Sequence, residues 1–259
     1  RYAVERSRRR QAEETLRQTS EEFRVAGEIQ RRLFPDESPR IEGFDIAGVL
    51  HPARATAGDY FDFIPMIDRC LGIVVGDVSS HGIGPALLAS ETRACLRTLA
   101  QAYFDVGDIL TRANRVLAAD TDDFHFVTLA MARLDPRERS LVYASAGQRG
   151  YLLRAGGDTE ILDSTSLPLG VSEDTVVPTA PPLWLEDGDL VTFFTDGVGE
   201  AESPGLVRFG TERALDVIRS ADVVFAGPGS PSYALRVWDG LGMGWLLRAA
   251  LEGGAVTVA

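Results

Sequence analysis

Three aspartates with glycine neighbours constrain this chain more than any other feature. Asp59, Asp77 and Asp196 each adjoin a glycine, and the last two follow short apolar runs that predict strands. A single Asp beside Gly usually marks only a tight turn. Three such positions in one chain favour carboxylates that converge from strand ends, and these supply the oxygen ligands that hard divalent cations prefer. A phosphate ligand would be repelled by such carboxylates unless metal charge offsets the repulsion.

Composition limits the class of protein. The chain has 259 residues, of which 45% are apolar, enough for one large domain with a sizeable core. A net charge of −12 argues against a general nucleic-acid binder and favours a protein partner or a metal-bridged substrate. Cys70 and Cys95 form neither a metal nor a redox motif. No apolar run predicts a membrane span and no signal peptide opens the chain, so the expected location is the cytoplasm.

Residues 1–34 predict one N-terminal helix, because no proline interrupts them before Pro35. Apolar or small side chains and one glutamine recur at approximate heptad spacing, at Leu16, Phe23, Ala26, Gln30 and Leu33. Two interpretations are open. The helix either docks on its own domain, or forms the end of a longer parallel coiled coil that joins an upstream signalling module and pairs two chains as a homodimer.

Beyond the helix, strand and helix signals are grouped rather than strictly alternating, which predicts an α+β fold. Strands are predicted at 44–50, 71–75, 126–134, 141–146, 151–154, 159–162 and 189–195, and helices at 85–104 and 106–119. On the second of these helices, Ile109, Ala113, Val116 and Leu117 mark the expected buried face.

A series of short motifs between Glu28 and Gly210 carries a family resemblance. The motifs are EIQRRLFP at 28–35, AGDYFDF at 57–63, GDVSSHGIGPALLAS at 76–90, FVTL at 126–129, YASAG at 143–147, LPLG at 167–170 and TDGV at 195–198. In this order they resemble the SpoIIE/RsbU-type phosphatases, which are bacterial metal-dependent serine/threonine protein phosphatases of the PPM class.

The resemblance implies an αββα sandwich with two Mn²⁺ or Mg²⁺ ions at one end. Asp77 would bridge the two ions, Asp59 and the backbone carbonyl of Val78 would complete one site, and Asp196 would belong to the other. Water activated by the two cations would attack phosphorus directly, with no phosphoenzyme. The implied substrate is a phosphoserine or phosphothreonine in a regulatory protein, typically an anti-sigma factor antagonist in partner-switching signalling.

The chain also departs from the family pattern. Ala57 and Ser80 replace glycines, and Gln148 stands where the family usually has histidine. No Asp-Asp-x-Thr motif follows Gly210, so one metal site would lack its third carboxylate. Residues 35–219 are therefore predicted to form the phosphatase domain, and 220–259 an atypical tail. The alternative hypothesis is a non-catalytic phosphatase-like module that binds a partner through the same surface.

Two further polar residues lie within the motifs. Asp62 is a candidate for supporting the metal ligands or for facing the substrate. His81 has no second histidine at metal-ligand spacing, and its glycine-flanked turn favours a structural role over catalysis.

Overall fold

The computed structural model describes residues 2–50, 56–80, 82–120, 125–200, 208–220 and 256–258. His81 and the tail aspartates Asp222 and Asp239 lie outside these residues. In chain order the elements are α1 (Tyr2–Arg31), β1 (Gly48–Leu50), β2 (Tyr60–Pro65), β3 (Leu71–Val78), α2 (Ile83–Leu99), α3 (Val106–Asp120), β4 (Val127–Asp135), β5 (Ser140–Ala146), β6 (Gly150–Leu153), β7 (Thr159–Leu162), β8 (Leu183–Trp184), β9 (Leu190–Phe194), α4 (Asp196–Glu200), α5 (Thr211–Ser220) and β10 (Val256–Val258).

Two five-stranded antiparallel sheets form the middle of the domain. The first sheet has the order β2-β3-β4-β5-β8, and the second has the order β1-β10-β9-β6-β7. Side chains on opposite faces of each strand enter different cores, because the strand period is two residues. Tyr60 and Ile64 of β2 pack towards α2 and α3, whereas Phe61 and Phe63 pack between the sheets.

The helices cover the outer faces of the two sheets. Leu96 of α2 and Ile109 of α3 are fully buried against Met131 of the first sheet. On the other side, Ala214 of α5 packs against Phe194 of the second sheet. The layers are therefore helix, sheet, sheet and helix, and the predicted αββα sandwich is confirmed.

Strand β2 is the main element that sequence reasoning missed. Asp62 interrupts its apolar run, and a charged residue in the middle of six residues obscures a strand pattern. The predicted strand at 44–50 is shorter than expected and contains only Gly48–Leu50. Ahead of it, a bridge between Ile41 and Phe44 closes a tight turn in which Gly43 has a φ of 82°.

Helices α2 and α3 differ from expectation in their details. Helix α2 ends at Leu99, five residues before the predicted boundary at 104. Most of the expected buried face of α3 is confirmed, but Val116 is 45% exposed and Leu110 is buried instead. The apolar stripe therefore lies on the Leu110 side of the helix, because that side meets the first sheet.

Among the described side chains of helix α1, those packed against the domain lie near its C-terminal end. Gln30 is buried against the domain, whereas Leu16 is 70% exposed. Exposed pairs such as Arg9–Glu13 line the solvated part and add little stability. These contacts fit a docked C-terminal end, and pairing of two chains through the rest stays a prediction. Among the described helices, none has both the length and the apolar character to cross a bilayer.

The last described segment of the tail completes the second sheet. Strand β10 inserts between β1 and β9, with Val256 opposite Leu50 and Thr257 opposite Phe194. Residues 256–258 thus supply a final strand beside β9, although the tail carries no family motif.

Neither cysteine is expected to react as a thiolate in the folded chain. Burial and a hydrogen bond with Asp68 together raise the pKa of the Cys70 thiol to about 12. Burial also raises the pKa of Cys95, with a smaller contribution from Glu91. Because the thiolate is the reactive form, labelling by an aromatic disulfide reagent at pH 8 should be slow in the native protein and fast in urea. Rapid labelling of two thiols without denaturant would contradict this expectation.

Candidate metal centre

The three aspartates come from two different sheets. Asp59 immediately precedes β2, and Asp77 is the penultimate residue of β3. The start of β2 lies beside the end of β3, because Tyr60 pairs with Gly76. Asp196 begins α4, directly after the end of β9 in the second sheet. Asp77 therefore lies within β3 rather than just beyond the strand predicted at 71–75.

The three carboxylates lie within electrostatic reach of one another, because the charge of Asp196 acts on Asp59 and Asp77 and that of Asp77 acts on Asp59. Burial and the charges of Asp77 and Asp196 raise the pKa of Asp59 to about 8, against a hydrogen bond with Thr195 that lowers it. Burial raises the pKa of Asp77 to about 7, again with a contribution from Asp196, whereas a backbone hydrogen bond from Val78 lowers it. Mutual repulsion of this kind disfavours ionisation unless a cation is present.

Gly58 allows the loop before β2 to approach β3 closely. Its carbonyl accepts a hydrogen bond from the Val78 N–H at 3.3 Å. A Cβ at position 58 would lie 2.7 Å from the Val78 carbonyl oxygen and 3.1 Å from Asp77 Oδ1. Any side chain here would therefore crowd two of the predicted metal ligands, which explains the glycine. The preceding Ala57 is buried.

Several neutral groups hold the aspartates in place. The Thr128 hydroxyl donates to the Asp77 backbone carbonyl at 3.3 Å, and Thr195 forms a hydrogen bond with Asp59. Gln30 of α1 binds the backbone of Ala57 in both directions, donating to its carbonyl at 2.7 Å and accepting from its N–H at 3.0 Å. Sequence reasoning assigned none of these roles, although all three residues lie within the quoted motifs.

Asp62 has a structural role and does not face the substrate side. Its carboxylate is fully buried and accepts two hydrogen bonds of 2.6 Å from Arg97 of α2. Arg93 lies 3.6 Å away, and the Tyr60 hydroxyl and the Phe63 N–H complete the surroundings of the carboxylate at 3.1 and 2.9 Å. The side chain therefore ties β2 to helix α2.

The donor set fits a hard divalent cation. It consists of carboxylate and carbonyl oxygens, and none of the ion pairs among the described residues involves Asp59, Asp77 or Asp196. In the same part of the chain, no three acidic, histidine or cysteine side chains are grouped closely enough to hold an ion by themselves. The Val78 carbonyl and water would have to complete the coordination, as Mg²⁺ commonly allows.

Comparison with solved structures defines the fold class as that of the PP2C phosphatases. The SiaA-PP2C domain of Pseudomonas aeruginosa superimposes with a TM-score of 0.74 at 20% identity, covering 94% of this chain and 97% of that domain. A structure of RsbX in complex with magnesium gives a TM-score of 0.59 at 18% identity, covering 86% and 96%. At these identities the likeness shows the fold alone.

The sequence comparison then defines the family. The model of Stage II sporulation protein E (SpoIIE) matches residues 67–228, more than half of the chain, so the chain belongs to the SpoIIE family. The phosphoserine phosphatase RsbU of Bacillus subtilis is 28% identical over 199 residues, which are 74% of this chain and 59% of RsbU. Protein IcfG of Synechocystis is 26% identical over 226 residues, which are 76% of this chain and 35% of IcfG. The chain thus spans between about a third and three fifths of these relatives.

Proposed function

We propose that this chain is a metal-dependent phosphatase that hydrolyses phosphoserine or phosphothreonine in a regulatory protein. The observation that carries the proposal is the placement of Asp59 and Asp77 at the paired ends of β2 and β3, with Asp196 just after β9 and near enough for its charge to raise the pKa of both. The family membership and the relative named as a phosphoserine phosphatase support the same reaction.

The residues would divide the metal ligands as the family resemblance implies. Asp59, Asp77 and the Val78 carbonyl would hold one ion, and Asp77 with Asp196 would hold the other, each Mn²⁺ or Mg²⁺. Cations bound there would activate water for attack on phosphorus and neutralise charge on the phosphate. Asp77 is suited to binding both ions because its strand, β3, is hydrogen-bonded to β2 on one side and to β4 on the other. This rigid setting fixes the backbone that carries the Asp77 carboxylate.

The proposal extends to the identity of the substrate protein and to the oligomeric state of the chain. The family resemblance supports an anti-sigma factor antagonist as the phosphoprotein substrate. The heptad pattern of α1 and its exposed Leu16 support a homodimer through that helix. The cytoplasmic location stays a prediction from the sequence.

Phosphate release from a phosphoserine protein tests the proposed activity. We expect release with Mn²⁺ or Mg²⁺, no release after chelation, and recovery when metal is added back. Asp59→Asn should lower the rate at least about a hundredfold, because it removes a charged ligand of one ion. Release that persists in chelator, or that is equal in wild type and Asp59→Asn, would contradict the metal-dependent mechanism.

The absence of an Asp-Asp-x-Thr motif after Gly210 favours one alternative, a non-catalytic phosphatase-like binding module. It predicts weak metal binding and no turnover, because one site would lack its third carboxylate. Grafting an Asp-Asp-x-Thr segment onto the tail should then create activity. Turnover by the unmodified chain at rates usual for the family would exclude this alternative.

A further inference from the structure

Gln148 lies where the chain passes from one sheet to the other. Strand β5 ends at Ala146 in the first sheet, and β6 begins at Gly150 in the second. The Gln148 side chain is only 8% exposed, and its Nε2 donates to the backbone carbonyl of Phe194 at 2.7 Å. The Ser145 hydroxyl donates to the Gln148 backbone carbonyl, which ties this crossover back to β5.

The carbonyl that accepts this hydrogen bond belongs to Phe194, at the end of the strand that leads to Asp196. Phe194 is the last residue of β9, and only Thr195 separates it from Asp196. The pairing of β6 with β9 ends at Gly150 opposite Phe193, and the Gln148 amide makes the next contact one residue further along β9. On its other side, Phe194 is opposite Thr257 of β10.

We propose that Gln148 is a positioning residue for the metal centre, because it fixes the end of β9 and thereby the place of Asp196 relative to Asp77. An ion shared by these two carboxylates needs a constant separation between two sheets whose shared core is apolar. Ser145 and Gln148 form a polar connection from the first sheet to the end of β9. This inference rests on the proposed metal-dependent function. It also gives a role to Gln148 in place of the histidine usual in the family, since glutamine can donate from its amide nitrogen and histidine from a ring nitrogen.

Calorimetric titration of the metal-free full chain with Mn²⁺ tests the inference without relying on activity. Gln148→Met keeps the size of the side chain but removes the donor, and we expect Mn²⁺ affinity to fall about tenfold or more, the range known for residues that orient metal ligands. Gln148→His should restore binding close to the wild-type value. Gln101→Met is the matched control, because Gln101 also donates to a backbone carbonyl, that of Pro65 at 3.1 Å, at the far end of β2. Its Mn²⁺ affinity should not change.

The outcomes separate this inference from the proposed function. Wild-type affinity in Gln148→Met, or equal weakening in Gln101→Met, would overturn the role of Gln148 and leave the phosphatase proposal intact. A wild-type chain that binds no Mn²⁺ would overturn both. If circular dichroism shows that Gln148→Met is unfolded, Gln148→Asn takes its place. Its amide is one methylene shorter and cannot span the same distance, so the same tenfold loss is expected, and unchanged affinity would again overturn the inference.

Discussion

Changing Asp77 to Asn is expected to reduce metal-dependent phosphate release at least about a thousandfold, since Asp77 is the proposed shared ligand of both ions and each tenfold loss corresponds to about 1.4 kcal/mol. The amide keeps the shape of the side chain but loses its charge and one acceptor oxygen. Initial rates of phosphate release at saturating Mn²⁺ measure the effect. Asp163→Asn is the matched control, because Asp163 is an exposed carboxylate that pairs with Arg149 on the surface. Its rate should equal that of the wild type.

The stability of the Asp77→Asn chain distinguishes loss of a ligand from loss of the fold. Burial and the charge of Asp196 raise the pKa of Asp77 to about 7. A carboxyl group whose pKa is raised on folding stabilises the protein below its unfolded pKa, and this contribution is lost as the pH rises through 7. At pH 8 the metal-free wild type therefore carries an unfavourable buried charge that asparagine removes. We expect the variant to melt at the same temperature as the metal-free wild type or higher, and a lower melting temperature would contradict this account.

Replacing Asp62 by alanine is expected to destabilise the folded chain by about 3 kcal/mol, the lower end of the range for breaking a buried ion pair. The change leaves Arg97 and Arg93 without their shared carboxylate. The lower end applies because Arg97 keeps 38% of its side chain exposed and can regain water. Asp62→Asn should cost less, since the amide oxygen can still accept hydrogen bonds from Arg97 and the Phe63 N–H.

Urea unfolding followed by circular dichroism measures this difference. Asp187→Ala is the control, because Asp187 is 90% exposed and its pair with Arg139 lies on the surface. That variant should stay within about 0.5 kcal/mol of the wild type. A loss below about 1 kcal/mol for Asp62→Ala would show that β2 and α2 are held together mainly by apolar packing.

Much of the fold could be predicted from local patterns. The hairpin strands β6 and β7 were predicted within one residue, because short apolar runs and the Gly156-Gly157 turn specify them locally. Strand β2 was not predicted, because Asp62 looks like a turn residue until Arg97, which is 35 positions away, is seen to neutralise it. The exposure of Val116 was also missed. Neighbouring apolar residues on a helix look alike in the sequence, and only the position of the sheet decides which of them is covered.

By itself, the sequence determined which residues are candidates for the metal ligands, because Asp59, Asp77 and Asp196 stand in motifs whose glycines and apolar neighbours can be recognised without coordinates. Only the tertiary structure decided that two of them come from one sheet and the third from the other. It also decided that Asp62 is an internal anchor and that Gln148 reaches the end of β9. The physical reason is that turn and strand patterns arise from neighbouring residues, whereas the distance between two sheets depends on packing between residues far apart in the chain.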